Sequence, residues 1–361
     1  MKVLVIQNRM GIGDMVIFLP FIEAISKKLK TPVSILVKES SKSREFLNDN
    51  KNISEIIDLE RDNKNKGKHD GFFGSLKLIK ELKNYKFDEA FIFNSSLRFF
   101  VICKLARIKK VHQYPLFEKK NQHIIKAAQE FLNKKIKLDV ESKPEINLDI
   151  NKINEAKQKY NFSSSKINIL LGIGGSGKTK RIPAETFIKF IDHCNNFKDC
   201  RFFLATGNHE EELEILNKIL RSGNGGKCEK LNHLKISETL PIIKNCNIAI
   251  CNDSSFSHLS AALNIPTIVL MADTPLLYGN YSPMMYPIIP DGEETVKHDT
   301  LGKDKINPIW GGVMKTGLEH SRFARQVVSH ACLYTSKVSN LGCYSPYKSF
   351  LSYNNILPHE Y

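Results

Sequence analysis

One repeated pairing narrows the possible fold more than any other feature of the sequence. A short unbroken apolar run leads into a loop of small residues, and the loop leads into a stretch that is apolar at helical spacing. Val3-Leu4-Val5-Ile6 is the first such run, followed by Gly11 and Gly13 and then by apolar residues over 15–25. Runs without alternation fit strands buried on both faces, as in a parallel sheet sandwiched by helices. Strands are predicted at 33–37, 53–59 and 87–93, with a helix over 76–82. Pro20 lies inside the first helical stretch and is expected to kink or start a helix there. After a Lys- and Asn-rich segment, 133–159, the pattern returns. Strands are predicted at 167–171, 202–205, 248–251 and 267–270, and helices at 183–193, 209–220 and 256–263. The expected fold is α/β, with two Rossmann-like doubly wound domains facing across a cleft. Residues 1–155 would form the first domain and 156–314 the second. A tail, 315–361, shows no element pattern and reads as either a poorly ordered extension or sequence unrelated to the fold.

Charge narrows the class of partner. The 53 Lys and Arg residues against 38 Asp and Glu leave +15. Residues 1–150 hold 29 basic and 19 acidic side chains, two-thirds of that excess. A polyanionic partner fits this balance: nucleic acid, an anionic membrane surface or a phosphorylated substrate. The bland alternative is that a Lys- and Asn-rich proteome simply makes basic proteins. The eight cysteines include no C-x-x-C pair and are too sparse for a disulfide scaffold, so free thiols in a reducing compartment are expected. The longest apolar run near the N-terminus is Met15-Val16-Ile17-Phe18-Leu19, too short for a signal peptide or a membrane span. A cytoplasmic location is expected.

Three loops carry chemistry. Gly11-Ile12-Gly13-Asp14 follows the first strand, but Val16 stands where a dinucleotide fingerprint needs its third glycine. Asp14 either satisfies the first amides of the helix or serves as a general base. Gly172-Ile173-Gly174-Gly175-Ser176-Gly177-Lys178-Thr179 matches the P-loop pattern G-x-x-x-x-G-K-[ST]. That reading needs a helix running on from Thr179, and Pro183 stands in its way. A P-loop NTPase using Gly172 to Thr179 is nevertheless the rival enzyme reading, and a non-catalytic basic binder is the third. Asn252-Asp253-Ser254-Ser255 sits at a strand-to-helix turn, where small residues either cap the helix or present its amides to an anion. His258 follows one turn later and reads more simply as a packing residue than as a catalyst.

The order of these segments resembles glycosyltransferase family 9, the lipopolysaccharide heptosyltransferases. The opening strand with Gly13-Asp14 matches, as does a small-residue loop ending Lys-x-x-Pro (Gly175 to Pro183). Gly207-Asn208-His209-Glu210 follows, and then Asn252-Asp253-Ser254-Ser255-Phe256-Ser257-His258-Leu259-Ser260-Ala261-Ala262-Leu263. Ala272-Asp273-Thr274-Pro275 departs from the family's Gly-Pro-Thr-Asp-Pro. The resemblance covers about residues 1–310 and implies the GT-B architecture. It implies an inverting sugar transfer that needs no metal and no resident cofactor. The donor would be a nucleotide-sugar, ADP-heptose in the best-known members. The acceptor would be an anionic glycolipid, the lipopolysaccharide inner core, at the inner face of the cytoplasmic membrane, with no nucleic-acid partner. Asp14 would be the general base. Lys180, with Gly175 and Ser176, would hold the diphosphate, and Glu210 would face the ribose. Asp253, Ser254, Ser255 and Phe256 would form the donor-binding turn. Arg61, Lys64, Lys66, Lys68 and Arg98 are candidate contacts to acceptor anions.

Overall fold

The apolar runs assemble into two parallel sheets. A computed structural model of the chain describes residues 1–61, 67–115, 123–196, 198–271 and 276–288. The first half runs β1 (Val3–Gln7), α1 (Ile12–Leu29), β2 (Val33–Val37), β3 (Ile53–Asp58), α2 (Gly71–Tyr85), β4 (Glu89–Ile92), α3 (Leu97–Leu105), β5 (Lys110–Gln113) and α4 (Ile124–Ile136). The second runs α5 (Ile150–Lys159), β6 (Ile167–Gly172), α6 (Ala184–Asn195), β7 (Cys200–Ala205), α7 (Glu210–Leu220), β8 (Cys228–Lys230), α8 (Ile236–Lys244), β9 (Ile248–Asn252), α9 (Ser255–Ala262), β10 (Thr267–Leu270) and β11 (Met285–Ile288). The five-stranded sheet has the order β3-β2-β1-β4-β5 and the six-stranded sheet β11-β10-β9-β6-β7-β8. Every pairing is parallel; Val3, for instance, lies opposite both Val33 and Glu89. In each sheet the first strand has its successor on one side and a later strand on the other. That reversal opens a crevice at the carboxyl ends of β1 and β6, where doubly wound sheets bind ligands.

α1 explains how the halves meet. Its residues Met15 to Ile22 are all buried. Such a helix must be covered on more than one side. The sheet covers one side and α9 of the second half covers another, so one apolar cluster runs from Val5 and Phe18 through to Leu259 and Ala262. The helix passes through Pro20, which neither starts nor ends it. The loss of one backbone donor there is offset by burial on all sides. Gly13 makes the close approach to α9 possible: a Cβ at this position would lie 2.5 Å from His258 Cδ2. The connecting segment is tied down as well. Ile146 N–H donates to the Ala262 carbonyl at 2.8 Å, and Asn245 Nδ2 donates to the Ile153 carbonyl at 2.9 Å.

The lysine-rich bridge holds the end of α4 and all of α5, which its polar composition conceals. α5 buries only Ala156 and packs on α8, so position 155 falls inside a helix of the second half. The tail and Ala272-Asp273-Thr274-Pro275 lie outside the described residues. Of the six described cysteines, five are buried.

Substituting Gly13→Ala should push α1 away from α9. The expected loss is about 1–3 kcal/mol of unfolding free energy in urea titration, the usual range for overpacking. Adding His258→Ala should return part of it.

Candidate active site

Loops from both sheets line one cavity of about 1000 Å³. From the first half come the turn from Arg9 to Asp14 after β1, with Ser40, Lys42 and Glu45 beyond β2. From the second half come Gly174, Gly175, Ser176 and Lys180 after β6, Thr206 to His209 after β7, and Asp253 to Phe256 after β9. The switch points of both sheets therefore face one space, as parallel topology dictates.

Asp14 is the third residue of α1. Gly11 N–H donates to its Oδ2, and Arg9 Nη1 approaches its Oδ1, both at 3.4 Å. The side chain is 22% exposed and lines the cavity. The carboxylate thus engages the helix start and still faces the cleft, a placement that suits either reading of the residue. Opposite lies the turn into α9. Lys180 Nζ donates to Asp253 Oδ2 at 2.8 Å, with the two side chains 18% and 5% exposed. Ser254 begins α9 in an extended conformation without a side-chain capping bond, and its hydroxyl oxygen is buried without a partner among the described residues. The capping reading therefore fails for Ser254. The helix start is left to face the cavity, where its dipole favours negative charge.

The cavity floor holds an acid that the sequence reading missed. Glu212 is buried, and its Oε1 accepts from Gly175 N–H at 2.8 Å. Its Oε2 has no partner among the described residues. A Cβ on Gly174 or on Gly207 would come within 2.5 Å of this carboxylate, so both glycines make room for it. Glu210, the expected ribose contact, is exposed and does not line the cavity. The reason is helical phase. His209 starts α7, and the third helical residue, Glu212, folds back toward the helix start while the first points outward. The spacing from His209 was the available signal.

The loop after β6 is not a P-loop. Lys178 to Lys180 form a single 3₁₀ turn, Arg181 is extended, and Pro183 starts α6. Lys178 is 85% exposed and pairs with Glu211 at 3.2 Å, away from the cavity. The expected acceptor cations also lie elsewhere. Arg61 is paired with Asp70 at 2.9 Å and Lys68 with Glu81 at 2.8 Å, while Arg98 donates to the His69 carbonyl. None of the three lines the cavity, and Lys64 and Lys66 lie outside the described residues. The basic side chains of the first half that do line it are Arg9 and Lys42.

His258 is buried where the halves meet. Its Nδ1 shares a hydrogen bond with the Tyr281 hydroxyl at 2.8 Å. Burial pulls its pKa down, while the negative charges of Asp253 and Asp14 oppose that shift. His123 starts α4 by accepting from Ile125 N–H at 3.2 Å, and its ring packs edge-on against Tyr278 of the cavity wall. Burial lowers its pKa from 6.5 to about 4.

Two parallel sheets of Rossmann type, meeting at their switch points over one cleft, form the GT-B architecture. The family follows from comparison of sequences. Residues 75–290 match the model of glycosyltransferase family 9 (heptosyltransferase), and the chain belongs to that family. Residues 292–361 match a different model, that of the 5' nucleotidase family, and include the tail, 315–361, that shows no element pattern. Lipopolysaccharide heptosyltransferase 1 of Campylobacter coli is 26% identical over 151 residues, which are 40% of this chain and 43% of that protein. Among solved structures, a family 9 glycosyltransferase from Veillonella parvula superposes with a TM-score of 0.66 at 18% identity, covering 91% of this chain and 96% of that one. The E. coli ADP-heptose lps heptosyltransferase II gives 0.63 at 17% identity, covering 94% and 100%. E. coli heptosyltransferase WaaC with ADP gives 0.63 at 15%, covering 92% and 100%.

Two outcomes test this electrostatic picture. Lys180→Met should destabilise the protein by about 1–3 kcal/mol, because it removes a cation beside the buried Asp253 carboxylate, and Lys180→Met with Asp253→Asn should lose less. His123 binds a proton near its usual value when unfolded but only near pH 4 when folded. Between those values the unfolded chain holds more protons, so stability falls on acidification. Urea titrations at about pH 7 and about pH 4.5 should show a slope that flattens in His123→Asn, which can still cap the helix.

Proposed function

We propose that this protein is an inverting, metal-independent heptosyltransferase that moves heptose from ADP-heptose onto an anionic lipopolysaccharide inner-core acceptor. What supports the reading, beyond family membership, is one observation. A cleft-facing carboxylate on the first half, Asp14, shares a single cavity with a lysine–aspartate pair and an open helix start on the second half.

In this reading the donor lies on the second half. Lys180, the loop of Gly175 and Ser176, and the start of α9 at Ser254, Ser255 and Phe256 surround the diphosphate. Glu212, rather than Glu210, meets the ribose hydroxyls with its unpartnered oxygen. Asp253 accepts from hydroxyls of the sugar. The acceptor lies on the first half, with Arg9 and Lys42 facing its anionic groups. Asp14 takes the proton of the attacking hydroxyl as that oxygen bonds to the anomeric carbon. The bond from that carbon to the diphosphate breaks on the opposite face, and the diphosphate leaves with the electron pair. Lys180 and the helix dipole stabilise the charge that builds there. The acceptor places the reaction at the cytoplasmic face of the membrane, with the protein bound peripherally; no helix among the described residues is long and apolar enough to cross it.

Purified protein titrated with ADP-, UDP- and GDP-sugars should gain thermal stability with the ADP-sugar at the lowest concentration. Asp14→Asn should lower turnover by about 10²–10⁴-fold, the range of a lost general base, with nucleotide affinity little changed. Magnesium-dependent ATP hydrolysis abolished by Lys178→Ala, but indifferent to Asp14→Asn, would overturn the reading.

A further inference from the structure

The outer face of α2 and α3 is left uncovered in a way the transfer reaction does not use. Phe72 and Phe73, in the first turn of α2, are 73% and 77% exposed, and Leu76 a turn later is exposed too. On α3, Leu97, Val101 and Leu105 are exposed at intervals of four, which places them along one side of the helix. The two helices pack together over the sheet face turned away from the second half. Arg98 ties their first turns to each other by donating to the His69 and Gly71 carbonyls. Both helices follow strands whose carboxyl ends mark the edge where the cleft opens, so the phenylalanine pair and Leu97 sit at that edge.

Charge on this face has one sign. Residues 71–110 contain nine Lys or Arg and three acids. The acids are engaged: Glu81 with Lys68 and His69, Asp88 with the Lys2 amide, Glu89 with His112. No exposed residue of α2 or α3 is acidic. Lys77, Lys80 and Lys83 are exposed and have no acidic partner among the described residues. Contiguous exposed apolar surface marks an interaction site. A second copy laid on the same face would set lysine against lysine. An anionic bilayer satisfies both features, since its headgroups neutralise the lysines and its interface accepts the aromatic rings.

We propose that the α2–α3 face docks on an anionic phospholipid bilayer, with Phe72 and Phe73 entering the interface and Lys77, Lys80, Lys83 and Lys104 meeting lipid phosphates. The value of docking there rests on the glycolipid reading of the acceptor, but the binding itself is measured without it. The full chain should co-sediment with vesicles of phosphatidylethanolamine and phosphatidylglycerol and not with phosphatidylcholine vesicles. Phe72→Ser with Phe73→Ser should lower the partition by about tenfold or more while leaving thermal unfolding unchanged. Lys77→Ser, Lys80→Ser and Lys83→Ser together should lower it and weaken its salt dependence. The same charge removed at Lys134, Lys135 and Lys189, on other helices, should matter much less. Equal partition of the phenylalanine variant, or equal loss on removing the distant lysines, would overturn the proposal. So would a dimer in sedimentation that the phenylalanine variant dissolves. Transfer to a delipidated acceptor should be unchanged in that variant. If no transfer occurs even without substitution while vesicle binding still depends on the phenylalanines, the functional reading fails and the docking stands.

Discussion

Everything at the cleft depends on the dry contact between α1 and α9. These helices start from different sheets, and their first turns carry Asp14 on one side and the Asp253 to Phe256 turn on the other. Their separation is set by a glycine against a buried imidazole at Gly13 and His258. The apolar cluster behind them spans both halves. Interiors packed at crystal-like density resist small displacements. The polar groups above are therefore held by apolar matter below, and the glycine that resembles part of a phosphate-binding fingerprint serves helix packing instead.

Much of the fold was legible because parallel strands advertise themselves. Val33–Val37 and Thr267–Leu270 are the predicted strands, and the small residues behind β1, β6 and β9 are the loops that meet at the cleft. Polar or brief elements stayed hidden. α5 buries only Ala156, and β8 has three residues, none of them fully buried. Neither gives an apolar period to read. β5 and β11 are edge strands with mixed side chains, so burial on both faces never shaped their sequence.

The site divides along the same line. Asp14, Gly175, Ser176, Lys180 and the Asp253 turn face the cavity because they lie in loops immediately behind strands, where sequence position nearly fixes place. Glu212 was missed because three consecutive glutamates open α7 and only helical phase separates them. Arg61, Lys68 and Arg98 were overrated because composition counts charges without their partners. Each of the three is tied to neighbouring groups of the first half.

The bond between Lys180 and Asp253 bears on how such a cleft chooses its guest. A lysine already neutralised at close range exerts less pull on a stray phosphate ion, since whatever claims the ammonium must draw it away from a buried carboxylate. On the proposed reading a nucleotide-sugar brings both halves of that settlement, a diphosphate for the cation and hydroxyls for the anion. Inorganic phosphate, or a nucleotide lacking its sugar, brings only the first. On that reading the unliganded pair favours a guest that meets both charges, as a lock whose two tumblers must be lifted together.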